Sequence, residues 1–219
     1  MFAGLIPEYL ASLEAYPPGK PLEELARELG ITDAVKLASN ENPLGPSPRA
    51  LAALQAKVGE IHRYPDAGVY YLRQALSLTL NLPPEQIICG NGSDEILELV
   101  ARAFLRPGDE VISAAPSFLM YSILTQAAGA VFRPIPLRNY RLDLATMAAA
   151  VNSRTRLIIL NNPNNPTGTA YHRREWENFL ASLPEAVLVV VDEAYIEFVT
   201  DPEVPTALTY LQENRPLLG

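Results

Sequence analysis

Cysteine is nearly absent from this 219-residue sequence: Cys89 stands alone. An intrachain disulfide is therefore excluded, and a reducing compartment fits. Histidine is almost as scarce, and His62 and His172 with one thiol form no recognisable metal-ligand spacing, so no zinc site is expected. No apolar run approaches the ~20 residues that span a bilayer. The stretch Met1-Phe2-Ala3-Gly4-Leu5-Ile6-Pro7-Glu8 has no basic region and meets a proline and an acid too early for a secretory signal. Without such a signal the sequon Asn91-Gly92-Ser93 has no glycan to accept, and a cytoplasmic location is expected. Positive charge is in deficit too: 17 Lys and Arg against 25 Asp and Glu leave a net charge of −8. That argues against a nucleic-acid or anionic-membrane partner. It does not argue against a small anion, which a nest of backbone N–H groups can hold inside an acidic protein. Lysine itself is reduced to Lys20, Lys36 and Lys57.

What is present is ample material for a core. Hydrophobic residues make up 48% and charged residues 19%, without repeats or low-complexity tracts. Residues Pro7 to Gly30 read as an arm, in which Pro21 to Gly30 has helical spacing, early acids and a terminal glycine. Val35 to Ser39 looks extended and leads into a turn-rich stretch up to Pro48, where Ser47 suits an N-cap and Pro48 a first helical residue. A second helix is expected from about Val69 to Leu80. Thereafter apolar runs alternate with helical patterns. Strands are expected over Glu110 to Ala114, Val131 to Pro136, Arg156 to Leu160 and Ala186 to Val191, with a short apolar run at Gln86 to Cys89. Helices are expected at about Ser93 to Leu105, Phe118 to Ala128, Leu144 to Val151, Arg174 to Leu183 and Ala207 to Glu213. Such alternation implies an α/β fold with a mostly parallel sheet flanked by helices. The final Arg215-Pro216-Leu217-Leu218-Gly219 reads as the lead-in to another strand rather than a frayed polar tail, so a chain cut short is expected.

Three segments carry chemistry. In Ile87-Ile88-Cys89-Gly90-Asn91-Gly92-Ser93-Asp94-Glu95-Ile96, two glycines allow a tight turn before a helix whose first N–H groups are free to cradle a phosphate. Taken singly, the same residues describe a glycine turn and capped helix with no ligand. Glu95 stands where the dinucleotide pattern needs its third glycine, and no P-loop sequence occurs. In Val187-Leu188-Val189-Val190-Val191-Asp192-Glu193-Ala194-Tyr195, an acid ends a buried strand where open α/β sheets bind ligands. A carboxylate there needs a cationic partner, such as a protonated pyridine nitrogen, unless it merely caps its loop. In Asn161-Asn162-Pro163-Asn164-Asn165-Pro166-Thr167-Gly168, a rigid loop rich in donors follows another strand, and by itself reads most simply as an elaborate turn.

Taken together and in this order, the three segments resemble the fold-type-I aminotransferases that depend on pyridoxal 5'-phosphate (PLP). The histidinol-phosphate aminotransferase branch is the most similar. Pro18-Gly19-Lys20-Pro21, the run from Lys36 to Pro48 and Arg63-Tyr64-Pro65-Asp66 point the same way, so the likeness extends from about Tyr16 to Tyr210. The resemblance implies roles residue by residue. Gly92, Ser93 and Asp94 would hold the cofactor phosphate. Phe118 would stack on the pyridine ring, where relatives often carry tyrosine. Asn165 and Tyr195 would hydrogen-bond the phenolic oxygen, and Asp192 would pair with the pyridinium. Tyr64 would reach the phosphate of a neighbouring subunit's cofactor, which implies a homodimer. It also implies residues 1–43 as an arm contributing to a small domain, and 44–219 as the first part of a PLP-binding large domain that is incomplete at its C-terminal side.

The resemblance further implies a phosphorylated amino substrate, histidinol phosphate, with 2-oxoglutarate as amino acceptor, in histidine biosynthesis. An aromatic-amino-acid aminotransferase or a threonine-phosphate decarboxylase is the neighbouring alternative. In this family a lysine following a serine holds the cofactor and moves the substrate proton. Lys20, Lys36 and Lys57 all precede the phosphate loop and none follows a serine. The chain by itself is therefore expected to bind PLP weakly and non-covalently without transaminating, and to be poorly soluble because of open sheet edges. A non-catalytic PLP-binding or interaction module is the second class of reading. An unrelated nucleotide-binding module would leave Asn161 to Gly168 unexplained.

Overall fold

The computed structural model describes residues 4–211 and 215–219. The first half is a string of helices: α1 (Glu8–Ala11), α2 (Leu22–Leu29), α3 (Pro48–Lys57) and α4 (Tyr70–Leu80). None of them contains a buried residue. Their ends follow local chemistry. The Ser47 hydroxyl accepts a hydrogen bond from the Ala50 N–H at 3.2 Å, with Pro48 in the first turn. Gly30 ends α2 in the left-handed conformation at φ +69°.

From α5 (Gly92–Phe104) the chain alternates: β1 (Glu110–Ala115), α6 (Met120–Ala127), β2 (Val131–Pro136), α7 (Leu144–Ala149), β3 (Thr155–Asn161), α8 (Arg173–Ser182), β4 (Leu188–Asp192) and β5 (Leu217–Leu218). The five strands form one sheet in the order β2-β1-β3-β4-β5 with every pairing parallel. From β1 the chain moves outward to β2, then returns to lay β3 on the other side of β1. The direction of winding therefore reverses between β1 and β3, the position at which open α/β sheets form a crevice beyond their carboxyl ends.

Side-chain alternation along the strands divides the core into two layers. Ile112, Ala114, Ile158, Leu160, Val189 and Val191 face α7 and α8, meeting Leu144, Met147, Trp176, Phe179 and Leu180. Val111, Leu157, Ile159, Leu188 and Val190 face α5 and α6, meeting Leu97, Val100, Ala101 and Tyr121. Both faces are covered, which is why these strands read as continuous apolar runs.

Several expectations need adjustment. Gln86 to Cys89 is not a strand: a 3₁₀ turn occupies Pro84–Gln86 and irregular chain follows, with Ile87 buried and Ile88 exposed. The segment pairs with no described strand. The helix expected from Phe118 begins at Met120, because Pro116, Ser117 and Phe118 form the loop leaving β1. The helix expected over Ala207 to Glu213 is a 3₁₀ turn at Ala207–Tyr210, and its expected end at Glu213 lies outside the described residues. Leu217–Leu218 does pair with β4, as the apolar lead-in suggested. No helix among the described residues is long and apolar enough to cross a membrane.

One buried charge ties the amino ends of the strands together. Glu110, the first residue of β1, is 1% exposed. It accepts hydrogen bonds from Asn152 Nδ2 at 2.7 Å and Arg133 Nη1 at 3.0 Å, and pairs with Arg154. The Asn152 hydrogen bond, with the two guanidinium groups, holds its carboxyl below the ordinary 4.5 despite its burial. A lowered folded-state pKa contributes stability above the unfolded value, and that contribution is lost as pH falls through the folded value. Glu110→Gln should therefore cost about 1–3 kcal/mol near neutrality and progressively less below pH ~4. Urea midpoints of the two proteins at pH 7 and pH 3 test this, and a gap that stays constant would remove the carboxylate from the explanation.

Candidate functional site

The loops leaving the adjacent strands β1, β3 and β4 meet at their carboxyl ends, and these loops carry Phe118, Asn165, Asp192 and Tyr195. Asp192 is the last residue of β4, in register with Asn161 of β3. Its backbone carbonyl accepts from Asn161 Nδ2 and from the Asn162 N–H, each at 3.0 Å. Its carboxylate is oriented from two sides: Oδ1 accepts from the Ala194 N–H at 3.1 Å, and Oδ2 accepts from the Tyr121 hydroxyl at 2.8 Å. Tyr121 lies on α6 and is 1% exposed. Burial pushes its phenol well above the ordinary value, and the Asp192 charge and hydrogen bond push the same way. Tyr121 therefore stays protonated and acts as a permanent donor to Asp192. Each carboxylate oxygen has a second lone-pair site for another partner.

Phe118 packs edge-on against Tyr121 with ring centroids 5.6 Å apart, and Tyr16 of the arm meets Phe118 at 6.3 Å. The remaining wall is the asparagine-rich loop, and its asparagines divide into two kinds. Asn161, Asn162 and Asn164 are buried and hold the loop together and to its neighbours. Asn161 Oδ1 accepts from the Asn165 N–H at 2.6 Å, and Asn162 Oδ1 from the Tyr171 N–H at 3.1 Å. Asn164 Nδ2 donates to Thr167 Oγ1 at 2.9 Å, and Asn164 Oδ1 accepts from Ser117 Oγ at 2.7 Å. The last bond locks the β3 loop to the β1 loop. Asn165, half-buried, faces a cavity of about 700 Å³ that it shares with Asn164, Tyr195, Asn40, Arg141, His172 and Phe198. Across this cavity wall Asn40 Nδ2 donates to the Tyr195 hydroxyl oxygen at 2.7 Å.

The third segment opens α5. Gly92 adopts φ +73°, a conformation that suits glycine. The Asn91 side chain makes no cap to the helix. Its backbone N–H and Nδ2 donate to Glu95 Oε2 at 2.6 and 2.8 Å. The exposed first turn, Gly92, Ser93 and Asp94, is thus not closed off by its own cap residue. Asp94 is close enough for its charge to raise the Tyr121 pKa further, as does Tyr195.

The fold thus brings Asp94, Phe118, Asp192 and Tyr195 around Tyr121, and sets Asn165 beside Tyr195. The cavity encloses only the Asn165–Tyr195 side; Gly92 to Asp94, Phe118 and Asp192 lie outside its lining. Tyr64 is not part of this cluster: it is 101% exposed, between α3 and α4. Sequence reasoning assigned no role to Tyr121 or Asn40. Tyr121 carried a signal, because it stands one helical turn from Phe118. Asn40 carried none, since its partner is 155 residues away. Among the described residues no group of three or more His, Cys, Asp or Glu could hold a metal ion.

The chain is similar to known proteins over most of its length. The family described as aminotransferase class I and II matches residues 32–218. Histidinol-phosphate aminotransferase of Moorella thermoacetica is 49% identical over 208 residues, covering 95% of this chain and 54% of that protein. Histidinol-phosphate aminotransferase 1 of Nitrosococcus oceani is 49% identical over 218 residues, covering 100% of this chain and 59% of that protein. Among solved structures, histidinol-phosphate aminotransferase from Sinorhizobium meliloti, in complex with pyridoxal-5'-phosphate, superposes with a TM-score of 0.83 at 29% identity, covering 92% of this chain and 54% of that one. The chain spans about half the length of the relatives it matches.

Proposed function

The chain belongs to the class I and II aminotransferase family, and from that premise we propose that it forms the cofactor-binding part of a PLP-dependent histidinol-phosphate aminotransferase. The reaction would move the amino group of histidinol phosphate to 2-oxoglutarate, in the cytoplasm, as a step of histidine biosynthesis. The carrying observation is the oriented Asp192 carboxylate at the end of β4, held by the Tyr121 hydroxyl at 2.8 Å.

The residues present fit this cofactor at three points. A buried-side carboxylate with a free lone-pair site suits a cationic ring nitrogen. An uncapped helix N-terminus suits a phosphate dianion. A cavity wall with the Tyr195 hydroxyl and Asn165 suits an anionic phenolic oxygen. When bound, PLP supplies an electron sink for the bonds broken at the substrate carbon.

The chain's own residues then have distinct tasks. Asp192 keeps the ring nitrogen protonated by pairing with it. Tyr121 holds Asp192 in one rotamer, so the carboxylate is aimed before the ring arrives. Phe118 covers a ring face and excludes water from it. Asn165 and Tyr195 orient the ring through hydrogen bonds to its phenolic oxygen. The N–H groups of Ser93 and Asp94 take the phosphate, with Gly92 allowing the approach. Tyr64, fully exposed, would serve the cofactor of a second copy in a homodimer. Residues 1–43 would form the arm with its contribution to a small domain, and 44–219 the first part of the large domain.

Because Lys20, Lys36 and Lys57 all precede the phosphate loop, the 219-residue chain is expected to bind PLP without turnover. Titration with PLP and with unphosphorylated pyridoxal, followed by absorbance, tests the binding. Saturable binding of PLP with clearly weaker binding of pyridoxal is expected; equal affinities would remove α5 from the site. For the substrate, the whole gene product should prefer histidinol phosphate to phenylalanine, and no preference would overturn that assignment.

A further inference from the structure

The Asn40–Tyr195 contact has a direction, and the direction matters. An amide Nδ2 can only donate, so at 2.7 Å the Tyr195 oxygen must be the acceptor. A phenol has one proton. With one side of its oxygen taken by Asn40, that proton is left to point elsewhere, and Tyr195 and Asn165 line the same cavity. Asn40 is itself held for the task. Ser39 and Asn40 both adopt left-handed backbone, at φ +69° and +52°, which turns the arm sharply where it meets the cavity. Asparagine tolerates that conformation better than most residues. On the far side of the turn Lys36 pairs with Glu41 and steadies its base.

We infer that Asn40 is a positioning residue: its amide occupies the Tyr195 oxygen and thereby aims the Tyr195 proton into the cavity, as a donor to an anionic oxygen bound there. This rests on the reading of the cavity as the place of the PLP phenolic oxygen. The arm thus sets the polarity of one wall of the site. With Tyr195 donating inward, that wall favours a phenolate over a neutral hydroxyl.

The opposite arrangement can be imposed by substitution. In Asn40→Asp the carboxylate can only accept, so it draws the Tyr195 proton out of the cavity and adds a negative charge beside it. In Asn40→Ala the hydroxyl is free to rotate. The loss of one hydrogen bond's worth of orientation corresponds to roughly a 2- to 12-fold fall in PLP affinity. Asn40→Asp should lose at least as much as Tyr195→Phe. In a Tyr195→Phe background, Asn40→Ala should change nothing further, because there is no proton left to aim.

The test has two arms on the 219-residue chain. The first needs no cofactor: tyrosine labelled with 13C at Cζ is observed by NMR, and the Tyr195 resonance is identified by its disappearance in Tyr195→Phe. That resonance should move in Asn40→Ala, and an unmoved resonance overturns the inference whatever PLP does. The second arm measures PLP affinity for the wild type, Asn40→Ala, Asn40→Asp, Tyr195→Phe and the Asn40→Ala/Tyr195→Phe double variant, with circular dichroism to confirm folding. Additive losses, or Asn40→Asp binding as tightly as Asn40→Ala, overturn the inference while leaving the PLP reading intact. If Tyr195→Phe and Asp192→Ala both bind PLP as the wild type does, the cavity reading itself is wrong and the inference falls with it.

Discussion

Asp192→Ala should abolish measurable PLP binding to this chain and lower kcat of the whole gene product by roughly a thousandfold. The expectation follows from where the carboxylate sits. A unit charge about 4 Å from an opposite one, at the effective dielectric of a protein crevice, is worth about 4 kcal/mol, which is about three powers of ten. Asp192 is partly buried at the end of β4, with Oδ2 fixed by Tyr121 and Oδ1 by the Ala194 N–H. Little reorganisation remains to be done when a cation arrives. Asp192→Asn separates charge from shape. It keeps the volume and still offers an acceptor to the Ala194 N–H, yet removes the negative charge. Its loss of kcat should approach that of the alanine variant, with a thermal midpoint close to wild type. A threefold effect or less in both variants would mean that the carboxylate does not face the ring nitrogen.

Trp176→Ala should be the most destabilising single truncation in the described core, by about 3–5 kcal/mol. Trp176 is 1% exposed and sits at the centre of an aromatic group: Tyr171 stacks on it at 5.5 Å, Phe179 at 5.9 Å, and Tyr210 meets it edge-on at 5.8 Å. The group joins α8 to the 3₁₀ turn at Ala207–Tyr210, so a cavity there loosens two elements at once. Trp176→Phe offers an internal control. The indole N–H is buried without a partner among the described residues, so phenylalanine loses volume but also removes an unsatisfied donor. Its cost should be clearly smaller than that of alanine in urea unfolding. Trp176 lies on the α7–α8 face and Tyr121 on the α5–α6 face, so Trp176→Phe should leave PLP affinity unchanged. Equal costs for the two variants would show that the retained ring volume contributes nothing, and would overturn the packing explanation.

The sequence determined most of the architecture by itself, because the relevant signals are local or periodic. The continuous apolar run from Ala186 to Val191 reads as an inner strand of a covered parallel sheet. Ser47, Pro48 and Gly30 mark helix ends through their own backbone and side-chain chemistry. The order of three loop motifs sufficed for the family, since each is a chemical requirement fixed over a few residues. Where the local signal is thin, expectation and structure part. Ile87 and Ile88 are apolar enough for a strand, yet a strand needs a neighbour to take its hydrogen bonds, and periodicity cannot show whether one exists. The helix expected at Phe118 starts later because Ser117 is drawn into a bond with Asn164 of another loop.

Only the tertiary structure decided which polar residues face inward as scaffold and which face the site. Four asparagines in one loop look alike in the sequence. Asn161, Asn162 and Asn164 are buried, bonded within the loop and to its neighbours, while Asn165 is half-buried and lines the cavity together with Asn164. Tyr121 and Asp192 are 71 residues apart, and Asn40 and Tyr195 are 155 apart. The first arises because parallel strands with helical crossovers gather distant loops at the carboxyl ends of the sheet, the second because the arm folds back onto the loop after β4. The directions of single protons, on which the site's chemistry depends, are set by those long-range contacts and leave no trace in local sequence.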